Sequence, residues 1–199
     1  MLRKIRSLVS NSEDFFGVYD NVLTKKECEI LINQFEKSET SPGHSMVGYC
    51  PEEKKCMELG CYFDDKSAIS NLVNIKLSEC MFKYTKKYLL LNDHLREWEV
   101  DNGYNFQRYD DETDGYKMWH CEHGPFDTSS RRIIAWMFYL NNAKSGTEFM
   151  HFSNVRAKMG RCVIWPSFWT HLHKGVTPNK GLKYIITGWA SFIPSGIEP

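Results

Sequence analysis

Ile133-Ile-Ala-Trp-Met-Phe-Tyr-Leu140 is the most apolar stretch of the chain. Eight residues is the length of a β-strand, far short of the roughly 18 to 20 apolar residues that a membrane span needs. On either side lie further short runs rich in aromatic and β-branched residues, at 104–109, 117–122, 148–152, 161–165 and 184–192, separated by turn residues. Strands of that length in succession predict a β-sandwich or barrel.

Toward the N-terminus the period changes from two to 3.6. Thr24, with Glu27 three residues later, forms a capping-box signature ahead of Cys28, Leu31, Ile32 and Phe35, which predicts a helix over 25–37. A short strand is expected before it, over 15–22. Ile69, Val73, Leu77, Cys80, Met81, Tyr84, Tyr88 and Leu91 recur at helical spacing and predict an amphipathic helix over 66–91. Residues 38–65 lack periodicity and carry the turn signal Pro42-Gly43. Helices first and strands afterwards give an α+β chain. One domain is expected over 1–199, with helical support at about 24–91 and a β core at about 97–194.

Lysine plus arginine and aspartate plus glutamate number 25 each, so no summed field attracts nucleic acid or an anionic membrane. The basic start, Met1 to Arg6, runs into polar residues before reaching signal-peptide length. Seven cysteines without a CxxC pair fit reduced thiols and a cytoplasmic setting. Cys50, Cys56 and Cys61 cluster loosely, and a zinc site there needs a fourth ligand such as His44.

His120-Cys-Glu122 falls at the expected end of a strand, where residues i and i+2 project to one face. Two histidines and a carboxylate on one face of an octahedron form the ligand set of non-haem iron(II) oxygenases. A second histidine is then required, and on spacing alone both His171 and His173 qualify. The same three donors also suit a zinc hydrolase. A third reading has no metal at all: a β-sandwich binding module with Trp119, Trp136, Trp165, Trp169 and Trp189 as core or stacking residues.

The ordered series Tyr109, Gly115-Tyr116, His120-x-Glu122, Arg132, Tyr139-Leu-Asn141, Gly146-Thr-Glu-Phe149, Gly160, His173-x-Gly175 and Lys183 resembles the prolyl 4-hydroxylase-like branch of the 2-oxoglutarate oxygenases. The resemblance covers about 16–192, with 38–65 unmatched, and implies a double-stranded β-helix, or jelly-roll, core. It implies iron(II) held by His120, Glu122 and His173, because a basic residue ten positions after the ligand histidine takes the far carboxylate of 2-oxoglutarate and Lys183 has that spacing to His173. His171 is the fallback. Tyr109, with Thr187 as an assistant, is implied for the same carboxylate, although two extra residues separate Tyr109 from His120. Tyr116, Arg132 and Trp189 correspond to positions beside a peptide substrate. A proline-containing peptide, with L-ascorbate as reductant, is what the branch implies. One departure stands out: the branch carries His-x-Asp, and this chain has glutamate, one methylene longer. Loops expected to close over the site are 38–65 and 110–114.

Overall fold

The computed structural model describes residues 14–45, 48–95, 97–178 and 181–194; the basic N-terminal stretch lies outside them. In chain order the elements are β1 (Gly17–Tyr19), α1 (Lys25–Lys37), β2 (Ser41–Pro42), β3 (Lys54–Lys55), β4 (Met57–Tyr62), α2 (Ala68–Lys87), α3 (Leu90–Asp93), β5 (Trp98–Tyr109) and β6 (Gly115–Tyr116). Then follow β7 (Arg132–Tyr139), β8 (Gly146–Phe149), β9 (Val155–Arg156), β10 (Arg161–Pro166), β11 (His173–Val176) and β12 (Lys183–Phe192).

Helix α1 begins where the capping box places it. The Thr24 hydroxyl accepts from the Glu27 amide, and the Glu27 carboxylate accepts from the Thr24 amide, satisfying two donors that have no partner inside the helix. Helix α2 starts at the Ser67 cap and stops earlier than its apolar repeat suggests. Tyr88 leaves the helix, and its hydroxyl donates to the Phe16 carbonyl, as that of Tyr84 does to Phe15. A tertiary tether therefore overrides the periodicity, and the chain resumes as the single turn α3.

The strands form a seven-stranded sheet in the order β1-β10-β7-β12-β5-β4-β2 and a smaller sheet β11-β8-β9, with β3-β6 as a further pair; all pairings are antiparallel. This is the expected jelly-roll, or double-stranded β-helix, supported by helices on one face. Strand β7 shows why its sequence is apolar throughout. Ile134, Trp136 and Phe138 join the core shared with α1 and α2, whereas Ala135, Met137 and Tyr139 face the layer between the two sheets. Side chains alternate across a strand, so one buried on both faces has no polar side. Gly188 on β12 is needed for the same packing, because a Cβ there would lie 2.4 Å from the Trp136 ring.

Three expected strands are shorter than read. The first spans only Gly17–Tyr19, closed off at Asn21, whose φ of 57° is left-handed. The strand expected over 148–152 is β8, which turns away after Phe149. Residues 117–122 form no strand: after β6 only a lone bridge, His120 to His173, continues the pairing. The segment 38–65, expected as a long loop, contributes the short strands β2, β3 and β4, with β4 paired along β5. The 110–114 turn is fastened too. Asp114 is buried, accepts from the Asp110 amide and pairs with Lys55 at 2.8 Å.

Candidate metal centre

His173 opens β11, and His120 is bonded to it through both backbone groups, at 3.0 and 2.9 Å. Residues paired this way carry their side chains next to each other, and the two ring centroids lie 4.4 Å apart. Beyond His120 the chain bends, and the amides of Glu122 and His123 both donate to the Ser167 carbonyl. That bend, rather than strand alternation, returns the Glu122 carboxylate to the rings. Its Oε1 lies 3.7 Å from His120 Nε2 and 3.3 Å from His173 Nε2.

The donor chemistry fits a cation. Nδ1 of His120 faces the Met118 carbonyl and Nδ1 of His173 faces the His171 carbonyl, each at 2.9 Å. A carbonyl only accepts, so Nδ1 carries the hydrogen, and in the neutral ring Nε2 keeps its lone pair. Burial, reinforced by His173, pushes the His120 imidazole down to about 4, so that ring is neutral near pH 7. Two lone pairs and a carboxylate oxygen thus meet, all within 4.8 Å of one another. A divalent ion is the group that turns this repulsion into attraction. Burial alone acts to raise the Glu122 pKa, but its surroundings, His173, His120 and the Trp189 indole, outweigh it and hold the carboxyl well below its usual range.

Its neighbours hold the centre in place. Tyr116 stacks on His120, with centroids 3.6 Å apart and planes 15° apart. Trp189 Nε1 donates to Glu122 Oε2 at 2.7 Å. The Arg132 guanidinium lies 3.6 Å above the Trp189 ring and 3.8 Å from the same carboxylate oxygen.

All of these residues line one cavity of about 470 Å³ between the sheets, and Lys183, Tyr109 and Thr187 line it as well. Lys183 is buried, donates to the Val176 carbonyl at 3.0 Å and sits 4.2 Å from the Tyr109 ring centroid. Burial lowers its ammonium to about 8. The Tyr109 hydroxyl gives its hydrogen to Gln107 Oε1 at 2.7 Å, and the Thr187 hydroxyl gives its own to the Trp136 carbonyl.

Elsewhere the candidates disperse. His171 stacks on Phe152, with its Nε2 3.0 Å from the Asp14 carbonyl, and His123 stacks on Phe168. Among the described residues, His120, Glu122 and His173 are the one group of three or more ligand-type side chains that converges, so Cys50, Cys56, Cys61 and His44 do not form a site. Trp136 and Trp165 are core, whereas Trp169 is exposed. Sequence reasoning missed Lys54, Glu58, Asn105 and Gln107, which share the cavity. Asn105 and Gln107 were within reach, four and two residues before Tyr109 on the same strand face.

Residues 104–191 match the family model described as the 2OG-Fe(II) oxygenase superfamily. That span is similar to the 2OG-Fe(II) oxygenase superfamily. The likeness implies iron(II) and 2-oxoglutarate, and the matched span contains the converging triad and Lys183. No curated protein matches the chain in sequence. Solved structures share this chain's fold at low identity. A prolyl hydroxylase from Trichoplax adhaerens, in complex with a hypoxia inducible factor peptide fragment, superposes with a TM-score of 0.69 at 16% identity, covering 96% of this chain and 91% of that one. A prolyl-4-hydroxylase from Pseudomonas putida gives 0.68 at 14%, covering 98% and 100%. The epimerase SnoN of nogalamycin biosynthesis gives 0.62 at 12%, covering 100% and 88%. No helix among the described residues is long and apolar enough to cross a membrane.

Proposed function

We propose that this oxygenase hydroxylates a C–H bond of a peptide substrate, with peptidyl proline the first candidate. The observation that carries this reading is the shared cavity: a triad of two histidines and a carboxylate, with the buried ammonium of Lys183 in the same space. In this reading residues 1–199 work as one domain, with the helices supporting the β core.

His120 Nε2, Glu122 Oε1 and His173 Nε2 would hold iron(II), and Lys183 would take the far carboxylate of 2-oxoglutarate. When bound, the metal and cosubstrate would supply the oxidising chemistry in which dioxygen gives one atom to the hydroxylated C–H bond and the other to succinate, as 2-oxoglutarate loses carbon dioxide. The chain's own part is placement. Buried Lys183 attracts a carboxylate more strongly than a surface lysine does, and its single bond to Val176 leaves two N–H donors for the ligand. Trp189 and the backbone carbonyls orient the three ligands. Arg132, lying flat on Trp189, offers a planar set of donors to the carbonyls of an extended peptide beside the metal. Tyr116 closes the other side of His120.

A zinc hydrolase uses the same three donors but assigns no task to Lys183. The peptide reading draws on the Trichoplax structure, which holds a peptide fragment, while SnoN shows that the fold also serves an epimerase. The test is succinate formation by the anaerobically purified protein given iron(II), 2-oxoglutarate, ascorbate and air, with and without proline-rich peptides. Peptide-stimulated succinate, lost in His173→Ala, is the expected result. No succinate under any condition refutes the oxygenase assignment of the site.

A further inference from the structure

The cavity wall built by β4 and β5 is polar in a way that the metal does not require. Strand alternation puts Asn105, Gln107 and Tyr109 on one face of β5. The register sets Glu58 of β4 beside Gln107 and Gly60 beside Asn105, with Thr187 of β12 on the other flank of Asn105. All of them line the cavity.

Most of this wall is internally satisfied. Lys54 Nζ donates to the His44 carbonyl at 2.9 Å and to Glu58 at 3.2 Å. Glu58 Oε1 accepts from Gln107 Nε2 at 2.9 Å, and Gln107 Oε1 accepts from the Tyr109 hydroxyl. An ionised carboxylate only accepts, so Glu58 determines which way the Gln107 amide points, and through it the direction of the Tyr109 hydrogen. A chain of buried polar groups with every link made is rigid.

Asn105 is the exception. Its carboxamide faces the cavity and has no hydrogen-bond partner among the described residues. Beside it, a Cβ on Gly60 would meet nothing within 4 Å except Asn105 Oδ1 at 3.9 Å, so the strand face is notched there. Elsewhere in the cavity lining, Arg132 Nε is likewise buried without a partner. Lys54 is already paired with Glu58, so no cation remains on this wall for a free carboxylate. A carboxamide offers donors and an acceptor in one plane, and the neutral group that matches both is another amide.

We propose that Asn105 and the Gly60 notch bind a main-chain amide of the substrate, Nδ2 donating to its carbonyl and Oδ1 accepting from its N–H. The wall thereby selects polypeptide over free amino acids and small acids. This rests on the oxygenase reading of the same cavity and names its substrate class.

The test uses wild type, Asn105→Leu, Asn105→Ala and Gly60→Val, each loaded with manganese(II) and the unreactive analogue N-oxalylglycine. The probe is a fluorescein-labelled 15-residue proline-rich peptide, together with analogues N-methylated at successive backbone positions around the central proline, followed by anisotropy. Expected are at least tenfold weaker binding by Asn105→Leu and one N-methyl position that weakens wild type but causes no further loss in either Asn105 variant. Gly60→Val, which fills the notch, weakens binding comparably. Losses from N-methylation that are equal in wild type and both Asn105 variants overturn the inference, as does failure of loaded wild type to bind any of the peptides. Succinate formation by wild type, with and without peptide, is measured in parallel: its absence in both rejects the oxygenase reading, whereas its presence without the Asn105 effect rejects only the amide subsite.

Discussion

Trp189 donates its indole hydrogen to the outer oxygen of Glu122, leaving Oε1 turned toward His120 and His173. The extra methylene of glutamate is thereby accommodated: one oxygen is anchored by the indole while the other faces the two imidazoles. Residues that orient metal ligands typically tune affinity by roughly 10 to 100-fold. Trp189→Phe is therefore expected to weaken manganese(II) binding within that range while retaining one ion per chain. Titration followed by electron paramagnetic resonance checks this; unchanged affinity means that the indole does not hold the ligand.

Lys183 gives a prediction whose sign differs for stability and for binding. Its ammonium is depressed from 10.5 to about 8 by burial, so the folded state binds fewer protons than the unfolded state between those values. The penalty is present in full below pH 8 and is relieved as pH rises to 10.5, about 3 kcal/mol in all. Lys183→Met removes this penalty but leaves the Val176 carbonyl without its donor, at a cost of about 1 kcal/mol. The variant is expected to be more stable than wild type by about 2 kcal/mol at pH 7 in urea denaturation, and to have lost 2-oxoglutarate binding. In wild type, 2-oxoglutarate affinity should fall roughly tenfold per pH unit above 8, as calorimetric titration would show.

Tyr109 offers a sharper division of roles. Its hydroxyl hydrogen is committed to Gln107, and its ring lies 4.2 Å from the Lys183 ammonium, a cation–π contact. Tyr109→Phe keeps the ring and should change the 2-oxoglutarate KM by less than about threefold, within the about 1 kcal/mol of one hydrogen bond. Tyr109→Leu removes the ring and should raise the KM further. A large effect of Tyr109→Phe would mean that the phenol turns to the cosubstrate once it is bound.

The two histidines of the Thr170-His-Leu-His173 stretch should separate cleanly. His171 is buried between aromatic rings and bonded to the Asp14 carbonyl. His171→Ala is expected to cost about 1–3 kcal/mol of stability and to retain metal. His173→Ala should abolish binding of the ion. Metal content by mass spectrometry of the two purified variants, loaded in parallel, decides between them.

The local chemistry of the chain was legible without coordinates. The box of Thr24 and Glu27 sets the start of α1, and the apolar run 133–140 marks a strand because these effects operate over a few neighbouring residues. The motif order from Tyr109 to Lys183 also carried the likeness to the 2-oxoglutarate oxygenases, and through it the choice of His173 over His171. Tertiary structure decided what depends on partners distant in sequence. The Tyr88 tether ends α2 before its apolar repeat ends, and Ser167 folds Glu122 back toward two rings that strand alternation alone would not align. The pairing of β4 with β5 brings Lys54 and Glu58 against Gln107 about fifty residues away. Hydrogen-bond geometry across sheets is written in register, and register is set by the burial of whole strands rather than by any motif within one of them.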